Sequence, residues 1–129
     1  MNKIIKFFKL KDYTNKYNST LDNDDIRYSA LCYIGPLFII AMLNKKNDYT
    51  TFHINQGLNL FLLELLIFCI LFIFNKIFSF VIGYTPVFLS IINFFSYLLL
   101  VLLMLFGIIN SINLKSIELP LIGKYRFIK

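Results

Sequence analysis

Between Gly57 and Asn110 the chain carries two formally charged residues, Glu64 and Lys76, in a run built mainly of Leu, Ile, Phe and Val. About 20 apolar residues at 1.5 Å rise cross a hydrocarbon layer of about 30 Å, so such runs read as membrane-spanning helices. A chain of 129 residues has too little other sequence to cover that surface in water. Hydrophobic residues reach 58% of the total, above the roughly 45–50% of soluble domains. The expected fold class is therefore an all-α integral membrane protein, with the membrane domain over 26–129 and a basic arm and polar linker over 1–25.

Three spans are expected, at about 26–43, 57–82 and 87–112. The first contains Gly35-Pro36. Pro36 lacks an N–H, which frees the Cys32 carbonyl and should kink the helix there. Asn23-Asp24-Asp25 before it suits a helix start, with acids at the positive end of the dipole. The second helix starts near Thr51 and runs to about Ile82, longer than a bilayer needs, so its last two turns should tilt or lie at the interface with Lys76 snorkelling to the headgroups. Gly83-Tyr84-Thr85-Pro86 is a turn signal.

Charge placement tests the span count. Three spans leave the basic residues nearly balanced, seven on one side and six on the other, whereas four spans would separate them eleven to two. Four spans would need two crossings within 77–112, which is too short for two runs of about 20 residues and a turn. Three is the expectation and four the alternative.

The ends are basic. In Met1 to Lys11, Ile4, Ile5, Phe7 and Phe8 share one helical face and Lys3, Lys6 and Lys9 the other, the pattern of a helix lying on a membrane. No uninterrupted apolar core or small-residue cleavage site follows, as a signal peptide would have. The net charge of +6 flanks apolar segments rather than forming a groove, which argues for anionic lipid headgroups and against nucleic acid as partner. Cys32 and Cys69 lie in apolar runs and behave as small apolar residues. The abundance of Asn, Ile, Lys, Phe and Tyr is the usage of an AT-rich genome, so a bacterial plasma membrane is the expected location.

Polar residues inside the spans need partners. His53, Gln56, Gly57, Glu64 and Asn75 fall on one stripe of the second helix. Glu64 lies about 10–12 Å beyond Gly57, where a carboxylate costs roughly 2.5–3.5 kcal/mol unless it faces protein or water. It reads either as a proton or cation site or as a carboxyl bonded to a neighbouring helix. Asn93, Ser96, Tyr97, Leu100, Met104, Gly107 and Ser111 form a small-and-polar stripe on the last helix, a helix-packing face. A cationic His53 at the positive end of a helix is unfavourable, so a neutral His53 is expected to bond another segment, with Glu118-Leu119-Pro120 as the candidate. Gln56 is expected to satisfy backbone groups freed by Pro36. His53 and Glu64 are about 16 Å apart along one helix, too far to share a metal. No nucleophile–base pair, glycine-rich phosphate loop or paired carboxylates occur, so no catalytic residue, metal or cofactor is expected and the chain reads as a non-enzyme.

Three segments carry a resemblance. They are Asp25-Ile26-Arg27-Tyr28-Ser29-Ala30-Leu31 with Gly35-Pro36-Leu37, then Phe52-His53-Ile54-Asn55-Gln56-Gly57-Leu58, then Asn113-Leu114-Lys115 with Leu119-Pro120-Leu121-Ile122-Gly123-Lys124. Together they resemble the Tic-twenty-like group of small membrane proteins, which includes a chloroplast import component and small magnetosome membrane proteins. The resemblance covers about residues 25 to 129, and the His-x-x-Gln element is its most specific part. It implies a multi-pass helical membrane protein and no single activity. The functional expectation is a component of a membrane complex or of envelope assembly, with other membrane proteins or further copies as partners. A small proton- or ion-coupled carrier using Glu64, or an immunity protein against a membrane-active peptide, is the alternative.

Overall fold

The computed structural model describes residues 10–17, 21–44 and 47–128. The amphipathic reading of the first eleven residues therefore lies almost wholly outside the described residues. The chain is all-helical, 73% helix with no strand among the described residues. Its helices are α1 (Thr14–Tyr17), α2 (Asn23–Leu31), α3 (Phe38–Leu43), α4 (Asp48–Ile82) and α5 (Val87–Ile112), with a 3₁₀ turn at Gly35–Leu37.

α4 and α5 form an antiparallel hairpin and are the two helices long and apolar enough to cross a membrane. Their pairing is fixed at both ends. The Tyr49 hydroxyl donates to the Ser111 carbonyl at 2.7 Å, and far along the hairpin Phe78 meets Phe88 edge-on at 5.6 Å. Asn47 starts α4 by accepting from the Thr50 N–H at 2.8 Å, and Gly83, at φ 84°, closes it in the left-handed conformation that glycine adopts without strain.

At 35 residues α4 is about 52 Å long, beyond any bilayer core. Part of that length, at its start, is packed inside the protein. Tyr49 to Gly57, Asn59 and Leu60 are buried within the protein, while most later apolar side chains point outward. Phe80 is 92% exposed, Val81 73% and Val87 77%. Outward-facing Phe, Leu and Ile along most of α5 and the later turns of α4 suit hydrocarbon, not water.

The segment expected as one kinked span over 26–43 is not one helix. α2 stops at Leu31, the chain turns, Gly35 takes φ 51°, and Pro36 opens a 3₁₀ turn before α3. The longest unbroken piece is nine residues, about 13 Å. The contacts show where the segment goes. Ile26 lies beside Ser111, Cys32 beside Gly57, Tyr33 beside His53 and Gly107, and Phe38 stacks near Phe61 at 5.7 Å. From there α3 leads back to Asn47 at the start of α4. α2, the turn and α3 thus form a hairpin that enters and leaves at the same end and covers only the first half of the α4–α5 groove. Pro36 breaks the helix because its missing N–H falls where the chain must reverse.

The C-terminal tail folds over the start of α4 and pairs with the segment preceding α1. Tyr13 N–H donates to the Ser116 carbonyl (2.9 Å), Glu118 N–H to the Lys11 carbonyl (3.1 Å), and the Glu118 carboxylate accepts from Lys11 N–H (3.2 Å).

Candidate functional site

The most built part of the molecule is this end, where α2, the first turns of α4, the end of α5 and the tail meet. Three amide side chains of α4 hold the tail. Gln56 Nε2 donates to the Gly123 carbonyl and Gln56 Oε1 accepts from the Leu119 N–H, both at 2.9 Å. Asn55 Oδ1 accepts from the N–H groups of Phe127 and Ile128 at 2.7 Å, and its amide donates to the Ile128 carbonyl at 2.8 Å. Asn59 donates to the carbonyls of Ile122 and Tyr125 at 3.1 and 2.8 Å. The irregular tail has no secondary structure to satisfy its backbone, and these amides supply donors and acceptors in its place.

His53 is fully buried and shares a 2.7 Å hydrogen bond between Nδ1 and the Tyr33 hydroxyl. It therefore bonds another segment, but in the turn that follows α2 rather than the expected Glu118-Leu119-Pro120 stretch. That stretch is reached instead by Gln56, whose partners are tail groups and not those freed by Pro36. The aromatic rings of Tyr49 and Phe52 pack edge-on against the imidazole, at 4.6 and 5.2 Å. Buried near this level, His53 Nε2, Ser29 Oγ, Ser116 Oγ and both amide atoms of Asn110 have no hydrogen-bond partner.

Two glycines set how closely the segments approach. A Cβ on Gly57 would collide with the Cys32 carbonyl and Cβ, so the carbonyl that Pro36 frees lies against Gly57. A Cβ on Gly107 would collide with the Tyr33 ring. Both residues of the sequence stripes thus act as clearances for the turn that follows α2.

The remaining stripe residues separate. Asn75 and Asn93 exchange amide hydrogen bonds across the hairpin at 3.3 and 3.2 Å, and Asn75 also donates to the Leu71 carbonyl at 2.7 Å. Leu100, Gly107 and Ser111 are buried, whereas Ser96 is half-buried with no side-chain hydrogen bond among the described residues. Glu64, Tyr97 and Met104 line an open groove of about 300 Å³ between α4 and α5, together with Phe68, Leu100 and Val101. Lys76 is exposed near the far end, its ammonium 5.7 Å from the centre of the Phe72 ring.

A second concavity, about 350 Å³, opens beside the tail and is lined by Lys16, Tyr17, Asp48, Thr51, Asn55 and Arg126 among others. The Arg126 guanidinium lies 4.4 Å over the Tyr13 ring and donates to the Tyr17 hydroxyl at 3.0 Å. No group of three or more His, Cys, Asp or Glu able to hold a metal occurs among the described residues.

Asn59, Tyr33 and Tyr49 were not singled out from the sequence, and Asn55 and Gly123 entered only within the segments that carry the resemblance. The signal for the two amides was present: Asn55, Gln56 and Asn59 sit at i, i+1 and i+4 in a helix that is otherwise apolar.

Compared with protein-family models, curated proteins and solved structures, the chain matches none.

Proposed function

We propose that this chain is a non-enzymatic, multi-pass protein of a bacterial plasma membrane, with two spans, a re-entrant helical hairpin and both termini on the cytoplasmic side, serving as a subunit of a membrane complex. The observation that carries the reading is the return of the α2–α3 hairpin to the end from which it starts. With that geometry the basic residues no longer balance. Among the described basic residues Lys76 alone is at the far end of α4, while Lys11, Lys16, Arg27, Lys115, Lys124 and Arg126 lie in segments at the end where the tail is clasped. Such a bias is the pattern that fixes orientation in membranes. It supports two spans over the three expected from hydropathy.

A subunit role draws on the resemblance to Tic-twenty-like proteins and on the character of the clasped end. Its amides and glycines are engaged in holding segments together, which suits a rigid platform. The carrier alternative rests on Glu64 alone, in a groove closed at one end by the α2–α3 hairpin.

Single cysteines at Leu21, Asn44, Tyr84 and Leu121, in a Cys69→Ser background, test the topology by reaction with a membrane-impermeant thiol reagent. Labelling of 21, 44 and 121 from one face and of 84 from the other is expected. Labelling of 21 and 44 from opposite faces overturns the re-entrant reading in favour of three spans, and release by alkaline carbonate overturns the membrane reading itself. Isolation from gently solubilised membranes tests the role. Defined membrane-protein partners are expected, while pH-dependent flux in liposomes by the purified chain alone would favour the carrier.

A further inference from the structure

We infer that the groove carrying Glu64 and Tyr97 is a self-association surface, filled by a second copy of this chain. The inference rests on the membrane-embedded reading above and names one partner for it.

The α2–α3 hairpin covers the groove between α4 and α5 down to the level of Phe38 and Phe61, and Glu64 is the next helical turn. Below that tip the groove opens outward over about 300 Å³. Ser111 bonds Ile26 at the clasped end, and deeper than Asn59 the side-chain hydrogen bonds described within the two spans are those of Asn75 and Asn93. The Glu64 carboxyl and the Tyr97 hydroxyl, both lining the groove, make none among the described residues, and Tyr97 is 47% exposed. Two unpartnered polar groups on a lipid-facing surface are costly, because hydrocarbon offers neither donors nor acceptors.

The pair is self-complementary. Tyr97 supplies a donor and Glu64 an acceptor, on opposite walls of one groove and therefore at one depth. One-sided basic charge inserts every copy in the same orientation. A two-fold axis along the membrane normal then places Glu64 of each copy opposite Tyr97 of the other, and each bond forms twice. The chain's own intramembrane cation fails as a partner in that arrangement, since Lys76 is about 18 Å further along the same helix. Leu100, Val101 and Met104 of α5 supply the apolar surface around the polar pair.

The experiment uses the full chain in liposomes, with a Cys69→Ser background and donor and acceptor dyes on a single cysteine at Tyr84. Energy transfer is followed as the protein-to-lipid ratio is varied, using samples that resist carbonate extraction. Saturable transfer above random proximity is expected. Loss of two bonds of ordinary intramembrane strength predicts that Tyr97→Phe raises the midpoint about sevenfold. Glu64→Leu should raise it at least as far, while Glu64→Gln, which keeps an acceptor oxygen, stays within about twofold of the parent. Oxidative cross-linking should join copies through Val101→Cys, at the groove, and not through the outward-facing Leu66→Cys. Transfer at the random level, an unmoved midpoint in Tyr97→Phe, or equal cross-linking at 66 and 101 would each overturn the inference. None of these outcomes bears on carbonate resistance or on the cysteine topology, so failure here is distinct from failure of the membrane reading.

Discussion

Gln56→Ala is the perturbation that isolates the clasp. Gln56 is fully buried and makes two bonds of 2.9 Å, one to each side of the Leu119–Gly123 turn. Its removal leaves a buried N–H and a buried carbonyl without partners, at about 1–3 kcal/mol each. The lower half of that range applies, because both groups regain water when the tail detaches, and the pair comes to about 3 kcal/mol. The bonds from Asn55 and Asn59 keep the tail docked in the ground state, so the loss appears as a larger detached fraction, by roughly 150-fold. Trypsin reads that fraction at Lys124 and Arg126 when opening and closing are fast compared with cleavage. The assay follows, by mass, the fragments ending at Lys124 and Arg126 as they form from the protein in nanodiscs. Gln56→Met, which keeps the side chain's bulk and neither bond, should match Gln56→Ala within a few-fold. Cleavage of both variants at the parent rate would refute the clasp, and acceleration in Ala alone would assign the effect to packing instead of hydrogen bonding.

Gly57→Ala should cost about 3 kcal/mol, the upper part of the overpacking range, because the added Cβ meets the Cys32 backbone and not a flexible side chain; thermal unfolding in detergent measures it. His53→Ala should destabilise by about 2–4 kcal/mol through loss of the Tyr33 bond and three aromatic contacts, with Glu64→Gln close to parent in the same unfolding assay. Asn75→Leu and Asn93→Leu should each strand the other amide, and a double-mutant cycle in the same assay should return a coupling of about 0.6–1.7 kcal/mol, the double variant recovering part of the loss.

The two long helices were legible because length and apolar continuity decide them locally: nothing between Gly57 and Ile82, or between Val87 and Ile112, competes with a helix in hydrocarbon. The segment over 26–43 was not legible for the opposite reason. Its apolar content and its 18 residues fit a span, and Gly35-Pro36 fits a kink as well as a reversal. What decides between them lies elsewhere in the chain, in the clearance at Gly57 for the Cys32 carbonyl and at Gly107 for Tyr33. The charge count bears on the same choice, since three spans leave the basic residues nearly balanced and the proposed two spans do not.

Polar residues on an apolar helix announce that partners are needed and leave their identity open. His53, Gln56, Gly57, Glu64 and Asn75 lie on one stripe, yet they meet Tyr33, the tail, a backbone carbonyl, an open groove and α5 in turn. These neighbours follow one another along the length of α4. Depth then sorts the roles. Near the clasped end an amide finds irregular backbone that wants donors and acceptors, so Asn55, Gln56 and Asn59 become fasteners. One turn below the tip of the α2–α3 hairpin no backbone remains to be satisfied, and the same kind of position leaves Glu64 facing outward. A polar residue in this helix is structural where irregular backbone or a polar side chain of another segment meets it, and available to a second molecule where neither does.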